Sequence, residues 1–76
     1  MKPSNDIIYE ETFNAMTRAL KLLKKDSLNE KEIKAIKGAI MYGSFLYKDA
    51  IKDEMYGFMS IYTDLLDKWS RRKNNV

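Results

Sequence analysis

The chain has 76 residues, 45% of them hydrophobic and 33% charged, and a formal charge of +3. That length holds one domain (1–76) whose single core leaves little net stability, so self-association is an expected remedy. Cysteine and histidine are both absent, which excludes disulfide staples and the usual ligands of zinc and other transition metals, and no cofactor is expected.

At the N-terminus Lys2, Pro3, Ser4, Asn5 and Asp6 are polar, and no long uncharged apolar run follows. A soluble, cytoplasmic chain with no membrane partner is predicted. Residues 1–4 are expected to be disordered, with Pro3 outside the first helix and Ser4 or Asn5 as its cap. That helix is predicted over about 5–25. Ile8, Tyr9, Phe13, Met16, Ala19, Leu20 and Leu23 recur at steps of three and four and form one face, with Glu10, Glu11, Asn14, Arg18 and Lys21 opposite.

The stretch KDSLNEKEI stops this helix and starts the next. Asn29 is placed as N-cap with Glu32 as its capping-box partner, Leu28 can staple to Ile33, and Ser27 with Glu30 offers a second box in a shifted register. From there no proline or cluster of turn residues appears before the terminal Asn74, Asn75 and Val76. At about 100° per residue, Ile33, Ile40, Tyr47, Ile51, Met55, Phe58, Tyr62, Leu65 and Trp69 stay within about 40° of one line. The predicted fold is therefore all-α: an antiparallel helical hairpin with a short first helix and a long second helix over about 29–72, dimerising into a helical bundle. The alternative is a three-helix bundle with a break near 47–54.

In the hairpin Phe13 reaches Gly43, the first helix ends near Tyr47, and the rest of the second helix overhangs. Ile51, Met55, Phe58, Tyr62, Leu65, Leu66 and Trp69 would forfeit more than about 10 kcal/mol if left in water. They must dock on a second copy, on the first two helices through a break, or on another protein. The expected oligomer interface comprises Ile51, Met55, Gly57, Phe58, Tyr62, Leu65 and Trp69, in a homodimer. The tripeptide Met-Tyr-Gly occurs at 41–43 and 55–57, and Ala39, Gly43, Ala50 and Gly57 form a small-residue strip. The repeat is read as two like helix contact points fourteen residues apart.

Met41, Tyr42, Phe45, Tyr56 and Met59 fall off the main apolar line and are candidate contacts for an unidentified protein partner, of residue types that suit adaptable interfaces. The plainer reading makes them inner residues of a larger bundle. Lys68, Arg71, Arg72 and Lys73, beside Trp69, are candidate nucleic-acid phosphate contacts. The plainer reading makes them cations complementing a helix C-terminus, with 73–76 disordered. Charge is uneven: residues 1–37 hold eight cations and six anions, 38–67 two and five, and 68–76 four and none. Asp49 and Asp53 form an i, i+4 carboxylate pair, but Lys48 and Lys52 neutralise it and metal sites on bundle helices usually add histidine.

No residue pattern activates a nucleophile, and no enzyme activity is expected. Lysine outnumbers arginine eleven to three, as in AT-rich bacterial or phage genomes. The expected function is a small helical protein-protein interaction module, an inhibitor, regulator or adaptor; the alternative is a dimeric nucleic-acid-binding regulator using the basic tail.

Overall fold

The computed structural model describes residues 3–74, with side chains from 7 to 72. Three helices follow in order: α1 (Pro3–Leu22), α2 (Glu30–Lys52) and α3 (Tyr56–Asn74). Among the described residues there is no strand. The Tyr9 ring meets Phe58 edge-on at 5.4 Å, and Arg72 reaches the end of α1, so α1 and α3 run side by side in one direction with α2 antiparallel to both. Proline is the first residue of α1 rather than a residue outside it, a position where its missing N–H has no helical acceptor to lose. Residues 3, 4, 73 and 74, expected to be disordered, are helical; Met1, Lys2, Asn75 and Val76 lie outside the described residues.

The first junction, residues 23–29, follows its sequence signals. The Asn29 side-chain oxygen accepts from the Glu32 N–H at 2.8 Å, and the Asn29 N–H donates to the Glu32 carboxylate at 2.9 Å. Lys25 donates to the same carboxylate. That hydrogen bond, followed by the one from the Asn29 backbone, holds the Glu32 carboxyl below its ordinary range. Leu28, just before the cap, is half-buried against the core.

The predicted long helix is two helices, as in the alternative of a three-helix bundle, with the break at 53–55 where 47–54 was expected. A continuous one over 29–72 would measure about 66 Å, whereas the molecule is 43 Å in its longest dimension. α2 ends in a left-handed turn: Glu54 has φ 56°, its N–H donates to the Ile51 carbonyl at 3.2 Å, and the Met55 N–H donates to the Ala50 carbonyl at 2.8 Å. These two bonds are the Schellman pair that satisfies the last carbonyls of a helix, with a glutamate where glycine is usual. A left-handed non-glycine residue costs about 1–2 kcal/mol. Folding α3 back buries Phe58, Tyr62 and Leu65, each worth about 1.5–3 kcal/mol. Burial outweighs the strained turn, which is why an uninterrupted apolar phase does not produce an uninterrupted helix.

The core joins Met16 and Ala19 of α1, Ile36, Ala39 and Ala50 of α2, and Phe58, Tyr62 and Leu65 of α3. Helix α2 lies closest to its neighbours at Gly43. A Cβ there would stand 2.7 Å from Tyr62 Cδ1 and 2.9 Å from Met16 Sδ. Met16 and Tyr62, rather than Phe13, therefore fill the Gly43 notch, and Phe13 is left exposed.

Candidate functional site

Burial within the chain removes much of the surface expected to need a second copy. Phe58, Tyr62 and Leu65 are buried, and Met55 and Trp69 are half-buried against the core. The exposed members of that set are Ile51, at 52%, and Gly57. The reason for the overhang disappears once α3 turns back, because α1 and α2 supply the apolar cover.

What the bundle leaves uncovered is the outer face of α2. Its inner face is set by Ile36, Ala39, Gly43 and Ala50, and the residues half a turn away point outward. Met41, Tyr42 and Phe45 are 48%, 58% and 69% exposed. Met41 and Phe45 sit within a run, Lys34, Gly38, Met41, Phe45, Lys48 and Lys52, at alternating steps of four and three. That spacing keeps all six on one stripe, the seam of a helix that packs along another helix. Lys34, Lys48 and Lys52 are exposed, and among the described residues none of them forms an ion pair. The apolar centre is thus bounded by free positive charge at both ends. Tyr56, at 66%, is exposed at the start of α3, while Met59 packs partly against the core.

The described cations of α3 each have a partner within the chain. Lys68 pairs with Asp64 at 2.6 Å and Arg71 with Asp67 at 3.2 Å, each one turn away. Arg72 donates through Nη1 to the carbonyls of Leu23 (3.3 Å) and Lys25 (2.8 Å), and through Nη2 to Asp26 (3.1 Å). The guanidinium fork closes the C-terminal end of α1, where carbonyls lack helical donors. Lys68 and Arg71 are thus paired along α3 and Arg72 reaches the end of α1; the side chain of Lys73 lies outside the described residues.

A second recess was not foreseen. An open groove of about 450 Å³ runs between the first turns of α1 and α3, lined by Tyr9, Glu10, Phe13, Met55, Gly57 and Phe58. On the other side of Tyr9, toward α2, Ile8, Leu46, Asp49, Lys52 and Asp53 line a smaller polar recess. Burial pushes the Tyr9 phenol above its ordinary range, and the carboxylates of Asp49 and Asp53 push it further the same way. The groove was hidden in the sequence because Phe13 shares the periodicity of the core and was assigned to it.

No family model matches the chain, and no curated protein or solved structure matches it significantly. Among the described residues no helix is long and apolar enough to cross a membrane.

Proposed function

We propose that this chain is a small helical protein-protein interaction module, acting as an inhibitor, regulator or adaptor through the outer face of α2. The observation that carries the reading is Phe45, the most exposed of the large hydrophobic residues, flanked on one helical stripe by Met41 and by unpaired lysines. Leaving such a side chain in water forgoes about 1.5–3 kcal/mol, and a partner helix laid along α2 recovers it. Methionine and aromatic residues are the types that anchor such contacts. No catalytic role is assigned. We favour the interaction reading over the nucleic-acid reading because Lys68 and Arg71 each have a carboxylate one turn away and Arg72 donates to carbonyls at the end of α1.

The test compares wild type with a Met41→Ser, Phe45→Ser double variant as baits. Both positions are exposed, so circular dichroism and melting temperature should match. Host proteins retained by wild type should be lost by the variant. Equal retention by both, or retention by neither, would overturn the assignment of this face.

A further inference from the structure

The α2–α3 junction holds three features that belong together. Its left-handed residue is Glu54, which has the Cβ that makes this conformation costly. On both sides of it the apolar line through Tyr47, Ile51, Met55, Phe58 and Tyr62 continues in helical phase. Beside it Ile51 and Tyr56 are more than half exposed, and a Cβ on Gly57 would meet nothing within 4 Å.

We infer that the chain also forms a domain-swapped dimer: the turn at 53–55 opens, α2 and α3 join into one helix, and α3 of each copy packs on α1 and α2 of the other. The register supports this. Tyr62 contacts both Gly43 and Tyr47, so facing residues of α2 and α3 have numbers that sum to about 107, as expected of an antiparallel pair. Opening the turn keeps every such pair, now between copies, about a two-fold axis passing between residues 53 and 54. Near that axis Ala50 of one copy comes opposite Gly57 of the other. The pairing is reciprocal, as an isologous interface requires. Short strained hinges favour such exchange.

Helix formation through the hinge releases the left-handed strain in both copies. Opposing it are the entropy of association and the carboxylates of Asp53 and Glu54, which gather from both copies at the axis. A weak dimer, populated toward millimolar protein, is the expected balance. The inference stands on the hinge and does not rest on the reading of the α2 face; it leaves Phe45 exposed and would present two such faces at once.

The test uses the full chain with Glu54→Ala and Glu54→Gly, which remove the same charge but differ in backbone preference. Alanine favours the straight helix and glycine the left-handed turn. With two hinges per dimer, light scattering should find the alanine variant dimerising at least about 100-fold more tightly than the glycine variant. Equal affinities, or monomers throughout for wild type and both variants, would overturn the proposal. Swapping itself is read from spin labels at Ser44→Cys and Thr63→Cys on one chain, on the alanine background. Upon dilution with unlabelled chain, the dimer should lose its short α2–α3 distance and show instead about 28 Å along one helix. A short distance that survives dilution in the dimer would mean an unswapped pairing and would also overturn it. Pull-downs with the Met41→Ser, Phe45→Ser variant are read separately, so either proposal can fail alone.

Discussion

The tripeptide Met-Tyr-Gly occurs twice, and the two copies do opposite things. At 41–43 it lies in the middle of α2, with Met41 and Tyr42 facing outward and Gly43 beneath Met16 and Tyr62. At 55–57 it follows the strained turn, with Met55 partly in the core, Tyr56 exposed and Gly57 beside open space. Fourteen residues restore the same helix face only if the helix between them is unbroken. The turn at Asp53–Met55 breaks it, so identical residues meet different neighbours. The repeat is therefore not a pair of like contact points in the closed molecule, and a motif's chemistry here depends on which side of the turn it falls.

The contrast is sharpest at the two glycines, and the largest expected effect is at the first. Alanine at Gly43 gains up to about 1 kcal/mol of helix propensity but drives its Cβ into a buried ring and a buried thioether. Overpacking of that kind costs about 1–3 kcal/mol, and the ring cannot move away because it also packs on Tyr47 at 5.0 Å. Gly43→Ala should lose about 1 kcal/mol or more in urea denaturation. In a Tyr62→Ala background the same change should become neutral or stabilising, because the clashing ring is gone. Additive losses in the double variant would show that Tyr62 is not what makes glycine necessary at 43.

How much could be read beforehand follows from the same contrast. The first junction was legible because Asn29 and Glu32 carry the capping box in their side chains. The second was legible only as an alternative, a break near 47–54, because the signal for a left-handed helix end is glycine, and this chain places glutamate there, with Gly57 three residues late. Helical content was visible as periodicity, and so was a small-residue strip of Ala39, Gly43, Ala50 and Gly57, of which the first three are buried and Gly57 is exposed; that Met41, Tyr42 and Phe45 lie off the main apolar line was visible too, but not whether another element covers them. Periodicity places a residue on a face; it does not say which element covers that face. That is why Phe58, Tyr62 and Leu65 were assigned to a second copy, and why the partners of Arg72, more than forty residues away in sequence, were invisible.

A smaller effect of opposite sign is expected at the turn. Glu54→Gly removes the Cβ conflict of the left-handed conformation, about 1 kcal/mol, and gives part of it back as greater freedom of the unfolded chain. A net stabilisation of about 0.5 kcal/mol should appear as a higher denaturation midpoint with unchanged slope. A lower midpoint would mean that the glutamate side chain contributes something the turn geometry does not reveal.

The smallest change is expected at the second glycine, where the comparison is most open to being broken. Gly57 is the second residue of α3, before the helix has its full set of hydrogen bonds, so alanine gains only part of the interior difference of about 1 kcal/mol. Nothing stands near its Cβ to oppose that gain. Gly57→Ala should therefore stabilise the monomer by a few tenths of a kcal/mol at dilute protein, where Gly43→Ala destabilises it. If both substitutions lower stability alike, the two copies share an environment after all, as they would in a molecule whose helix runs unbroken from 29 to 72.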